Sequence, residues 1–225
     1  MTQGIKRLTA IAVFAALAYV IHFVHIPVAF LNLDFKDVIM AIAGMYFGPV
    51  AGTTLSVLVP LLEFPTGETG VYGLIMNIIS STAFVGVSSL IYKFRKTLSG
   101  AIAGLCSGAL ATVAVMMVAN LLITPYYMGV TQAEVVALIP AMLLPFNAVK
   151  SVLNAALTLC LYKPVTSVLR SSGFGRRETE AATAESKDQK VSRMRSILVW
   201  IVGGSVAIAA LCVIFFVLGG RLAFN

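Results

Sequence analysis

Five stretches of the chain, 8–33, 38–62, 70–92, 97–133 and 196–220, contain no aspartate, glutamate, lysine or arginine. A helix of about 20 apolar residues crosses the hydrocarbon core of a bilayer, and it satisfies its own backbone hydrogen bonds on the way. Runs of this length therefore predict membrane-spanning helices. The composition agrees, because 59% of the 225 residues are hydrophobic and 11% charged, against about 25% charged in a typical soluble domain. The expected fold class is all-α, a polytopic membrane helical bundle in a cell membrane.

A formal net charge of +7 raises the possibility of a nucleic-acid partner. However, the basic residues lie at segment ends and in one late linker, where membrane topology places them, and no basic patch interleaved with aromatics occurs. Nucleic acid is therefore set aside. Lys6 and Arg7 precede an apolar run longer than a signal-peptide core and without a clear small-x-small cleavage site, so this run is expected to stay as a helix. Cys106, Cys160 and Cys212 lie in apolar segments, form no CxxC pair, and read as small packing residues without a disulfide.

Charge also resolves the helix count. The segment 38–62 is either one long helix or a hairpin broken at "FGPVAG", residues 47–52. Proline lacks an amide donor and disfavours a helical residue before it, which makes Gly48–Pro49 a strong break. With Lys6 and Arg7 in the cytoplasm, a single helix would place "KFRK" (93–96), Lys163, Arg170, Arg176 and Arg177 outside. The hairpin returns all of them to the cytoplasm and puts the loop bearing Glu63 and Glu68 outside, so it is preferred. Its arms have only about 17 residues each, near the lower limit for a span.

The expected helices are 6–26, 36–48, 50–64, 70–93, 99–122 and 136–163, with outer loops at 25–37 and 123–135 and a possible kink at Pro140 and Pro145. Residues 1–169 would form the membrane domain and 170–195 a charged cytoplasmic linker. Residues 196–225 would add a seventh, C-terminal transmembrane helix and a short external tail.

Polar residues at membrane depth carry the functional signal. Asn77, Asn120, Asn147, Lys150 and Asn154 all interrupt apolar segments, and the last three share one helical face at i, i+3 and i+7. Lys150 precedes the cytoplasmic-end Lys163 by 13 positions, roughly 20 Å of helix and too far for simple snorkelling. A charged group at that depth costs about 2.5–3.5 kcal/mol on insertion scales, which favours a functional reason for it. Its available partners are carbonyls, amides, a polar ligand, or Asp34 and Asp37 folding in from the first loop. Phe30, Phe35, Tyr126, Tyr127 and Phe146 stand near the outer ends. Together these residues suggest an outward-open pocket for a small ligand with a planar ring and a polyhydroxyl tail.

Several chemistries are excluded or disfavoured. No GxxxxGK[ST] phosphate loop, HExxH motif or Cys/His ligand cluster is present, so neither nucleotide hydrolysis nor a metal site is expected, and no catalytic residues or cofactors are assigned. His22 and His25 sit together at the end of the first helix. The expected helices 70–93, 99–122 and 136–163 contain no acid for a proton relay, which weakens proton-coupled transport and leaves the energy to partners.

The stretches "LNLDFKDVIMAIAGMYFGPVAG" (31–52), "GLIMNIISSTAFVGVSSLIYKF" (73–94), "ANLLITPYY" (119–127) and "PFNAVKSVLNAALTLCLYKP" (145–164) occur in order. Over about residues 5–170 the chain resembles the riboflavin-specific substrate-binding S components of energy-coupling factor (ECF) transporters, the RibU family. The resemblance implies a six-helix core with cytoplasmic termini and an outward-facing vitamin site. It also implies an energy-coupling module of one transmembrane T subunit and two ATPases. Carried over by motif, Leu33, Asp34 and Phe35 would belong to the loop that closes over riboflavin, and Asn77, Asn120, Thr124, Tyr126, Asn147 and Lys150 would line or support the site. Ala12 and Ala16 match the small-residue stripe with which similar proteins dock their coupling module. Gly100, Gly104 and Gly108 instead read as packing within the chain. The seventh segment departs from the family pattern. Alternatives are an S component for another vitamin or precursor, a stand-alone facilitator or secondary transporter, and a scaffold whose amides serve as helix glue.

Overall fold

The computed structural model describes residues 3–29, 31–66, 70–171 and 223–224. Helix α1 (Gln3–His22) leads into a short hairpin, β1 (Val24–Val28) and β2 (Leu31–Asp34). Helices α2 (Lys36–Phe47) and α3 (Pro49–Glu63) form the expected helical hairpin. Gly48 joins them at φ +103°, a conformation that costs an L side chain dearly, and Pro49 occupies the first turn of α3, where no amide donor is needed. Long helices α4 (Gly70–Phe94) and α5 (Leu98–Met128) follow, then α6 (Gln132–Leu138), a π-helical turn at Ile139–Leu143, and α7 (Leu144–Ser171). Among the described residues four helical segments are long and apolar enough to cross a membrane, 4–22, 70–94, 98–128 and 132–169.

The core is built around α2. Met40, Ala41, Ile42 and Ala43 are fully buried, and they pack with Phe14 and Ala18 of α1, Leu55 of α3 and Val85 of α4. Small residues let α4 and α5 approach closely. A Cβ on Gly104 would stand 2.7 Å from the Ser88 carbonyl oxygen, and one on Gly108 2.8 Å from that of Phe84. These glycines therefore serve packing within the chain, as the sequence suggests. Exposed Leu110, Val118 and Leu122 lie elsewhere on α5, where an apolar side chain suits lipid.

Three local features differ from the sequence expectation. The first outer loop is partly a β-hairpin, with Ile26 opposite Leu33 and Val28 opposite Leu31. Ala223–Phe224 (β3) adds antiparallel to Val24 and His25 at its edge. Helix α5 does not stop at 122 but continues through Pro125 to Met128, where Gly129 at φ +66° ends it. A proline in the last turn removes only one hydrogen bond, whereas a left-handed glycine closes the helix outright. The expected outer loop at 123–135 is correspondingly shorter, because Thr131 and Glu134 form a capping box that starts α6. The kink expected at Pro140 and Pro145 takes the form of the π-helical turn. Phe30, Glu68, Cys212 and nearly all of 170–225, including the seventh apolar segment, lie outside the described residues.

Candidate functional site

The hairpin folds over one end of the bundle, and beneath it lies a cavity of about 470 Å³. Its walls come from the C-terminal ends of α1, α3 and α5, the N-terminal parts of α4 and α7, and β2. Apolar contacts are supplied by Phe23, Leu74, Met76, Met116, Ile123 and Phe146. Polar side chains converge among them, which is the usual make-up of a small-molecule site.

An alternating ladder of charge runs along the cavity. The Lys150 ammonium donates to Asp34 Oδ2 at 3.3 Å, and Lys36 Nζ lies 3.6 Å from the same oxygen. Lys36 also donates to Glu63 Oε2, and His22 Nδ1 lies 3.5 Å from that oxygen. Burial opposes ionisation of Asp34, but the ammonium groups of Lys150 and Lys36 outweigh it and hold its carboxyl below the ordinary range, at about 2. Lys36, Asp34 and Glu63 are all buried. Removing one member leaves an uncompensated charge in the interior, a change worth about 3–5 kcal/mol. The ladder thus ties β2, α2, α3 and α7 together at the cavity.

Deeper in the bundle, Ser81 Oγ donates to Asp37 Oδ1 at 2.6 Å and Asn154 Nδ2 approaches Oδ2 at 3.5 Å. Asn154 therefore braces α7 against α2 rather than lining the cavity. Asn147 donates to the Leu143 carbonyl at 2.7 Å, which fixes its side chain at the start of α7. Asn120 donates to the Met116 carbonyl and accepts from Thr124 Oγ1 at 2.9 Å.

Of the residues singled out in the sequence, Asp34, Asn77, Thr124, Asn147 and Lys150 line the cavity. Asn120 stands behind it as the support of Thr124. Leu33 is turned into the core with Ile26, Phe146 and Leu153, and Phe35 packs against that cluster. Leu31, Asn32 and Asp34 of β2 meet the cavity and Leu33 does not. Tyr126 is 74% exposed, and its neighbour Tyr127 lines the cavity. One residue turns a helix by about 100°, which separates the two rings. Ala12 and Ala16 lie on the exposed face of α1, away from the core residues Phe14, Ala15 and Ala18.

Sequence reading missed His22, His25, Glu63 and Lys36. The first three line the cavity, and the last holds the ladder together. His22 and His25 have stacked rings 6.3 Å apart. Glu63 had served only to mark an external loop. The available signal was a lysine within "LDFKD" and a glutamate closing an apolar helix. Nothing in their spacing shows that they pair.

A multi-pass helical bundle with a polar cavity under a hairpin at one end defines a membrane protein that binds a small molecule. The comparison with protein families is specific: the model for "ECF transporter, substrate-specific component" matches residues 6–162, and the chain belongs to that family. It is a transport component, not an enzyme. It is 28% identical over 178 residues to the riboflavin transporter RibU of Staphylococcus aureus, covering 75% of this chain and 94% of that one. It is 25% identical over 162 residues to the riboflavin transporter FmnP of Bacillus subtilis, covering 66% and 85%. A solved structure of the S component of a bacterial ECF transporter superposes with a TM-score of 0.64 at 27% identity, over 73% of this chain and 98% of the other.

Proposed function

We propose that this chain is the riboflavin-binding S component of an ECF-type vitamin importer. The observation that carries the reading is the cavity itself. Its size suits a single flavin, its apolar residues suit the isoalloxazine ring, and Asn77, Asn147, Lys150 and Asp34 offer hydrogen bonds to ring carbonyls and ribityl hydroxyls. Similarity to two riboflavin transporters supports the same ligand.

In this reading α1, the α2–α3 hairpin, α4, α5 and the segment from α6 through α7 make a six-segment core. The N-terminus is cytoplasmic, the cavity opens outward, and the C-terminal segment spans to the outside. The chain captures riboflavin externally and reorients when coupled to a T subunit and two ATPases, docking through Ala12 and Ala16. The exposure of that stripe, with Val13 and Leu17 beside it, supports the docking face.

The test is riboflavin uptake into vesicles containing the chain alone or with its coupling subunits and ATP. Uptake is expected only with the full set. Accumulation by the chain alone would replace this reading with a self-sufficient transporter. A thermal-shift panel of vitamins would reassign the ligand if a compound other than riboflavin gave the stabilisation that binding confers by mass action.

A further inference from the structure

The ladder leaves particular atoms of cavity-lining residues without a hydrogen-bond partner. Glu63 Oε2 is taken by Lys36, but its Oε1 has no hydrogen-bond partner, although the residue is only 3% exposed. Asp34 Oδ1 is in the same state at 4% exposure. A buried carboxylate oxygen without a donor is costly, and a ligand that supplies a donor recovers that cost. The cavity therefore presents two chemically different kinds of group. Lys150, Asn147 and Asn77 bring N–H donors, whereas Glu63 and Asp34 bring lone pairs.

A flavin has a matching division. Ring carbonyls need donors, and the hydroxyls of the ribityl chain can give hydrogen bonds to carboxylates. Resting on the reading of the site as a riboflavin pocket, we propose that Glu63 accepts a ribityl hydroxyl and sets a preference for the unphosphorylated vitamin over its 5′-phosphate. The charge count argues in the same direction. The two lysines of the ladder are already matched by Asp34 and Glu63, and Asp37 is buried nearby. A phosphate monoester adds about −1.5 to −2 at neutral pH. Next to Glu63 that charge would meet a carboxylate with no free cation of the ladder to receive it.

Glutamine at 63 changes the cavity in a defined way. Lys36 would hold the amide oxygen, turning the NH₂ group toward the ligand, so a donor replaces a charged acceptor. The experiment is a fluorescence titration of the purified full chain with riboflavin, riboflavin 5′-phosphate and lumiflavin, whose ring carries a methyl group instead of the ribityl chain. Glu63→Gln is expected to weaken riboflavin about tenfold. It should lower the riboflavin-to-phosphate affinity ratio by at least a similar factor and leave lumiflavin within about twofold. Glu63→Asp, which keeps the charge and draws it back by one methylene, should weaken riboflavin yet retain the ratio. An unchanged ratio in Glu63→Gln, or parallel loss of all three ligands in both variants, would overturn the proposal and leave Glu63 as a brace for Lys36. A wild-type chain that bound neither riboflavin nor lumiflavin would instead overturn the flavin reading beneath it.

Discussion

The two ends of this bundle are built by opposite means. At the hairpin end, Lys150, Asp34, Lys36, Glu63 and His22 form a connected polar ladder around a cavity. Along the α4–α5 contact, glycine and serine backbones meet with almost no room, as Gly104 against Ser88 and Gly108 against Phe84 show. The first region keeps charge inside a membrane protein and holds space open. The second removes space and carries no charge. Their difference indicates where binding energy resides and where folding energy resides.

Substitutions should separate the two regions. The largest effect on binding is expected for Lys150→Ala, which removes a cavity-lining cation and leaves Asp34 with one cation fewer. A fluorescence titration should show riboflavin affinity reduced about 10- to 100-fold, in keeping with about 1.5–3 kcal/mol for a hydrogen bond from a charged group. Binding within threefold of wild type in folded protein would erase the distinction between the ends. Gly104→Leu should do the reverse. Its side chain meets the Ser88 carbonyl, so thermal unfolding should move down by the equivalent of about 1–3 kcal/mol, while the folded fraction keeps wild-type affinity. Loss of affinity with unchanged stability would contradict the assignment.

The proposed docking face at Ala12 and Ala16 sharpens the comparison further, because it belongs to neither region. Ala12→Trp with Ala16→Trp should reduce co-purification of coupling subunits several-fold and leave riboflavin affinity unchanged. Equal loss of both would assign α1 to the fold or to the site. The smallest effect is expected for the adjacent tyrosines. Tyr127→Ala should weaken riboflavin by about 1 kcal/mol, the scale of one aromatic contact, and Tyr126→Ala should leave it unchanged. Equivalent effects at both positions would show that the outer end of α5 is turned differently.

What could be read from the sequence follows from the range of the interactions involved. Gly48–Pro49 was legible because a helix break is local, and the shared face of Asn147, Lys150 and Asn154 was legible because helical period is local. Asp34 was foreseen as a possible partner of Lys150 only because the expected helices 70–93, 99–122 and 136–163 offered no acid. Lys36 and Glu63 are 27 positions apart, and both stood at segment ends where charge has an ordinary topological explanation. That explanation hid their burial. The hairpin was missed because Pro27 lies within β1, and a proline in the sequence argues against a strand unless it lies at an edge or non-bonding position. Tyr126 and Tyr127 were separated by a single helical step that motif matching could not phase.

The central claim is that the charged end of the bundle is a riboflavin site. It is tested most directly by titrating the purified, flavin-depleted wild-type chain with riboflavin and following quenching of flavin fluorescence. Saturable quenching at one riboflavin per chain, absent in the folded Lys150→Ala, Asn147→Ala double variant, is the predicted result. Quenching that never saturates, or one-to-one binding that survives in the double variant, would contradict it.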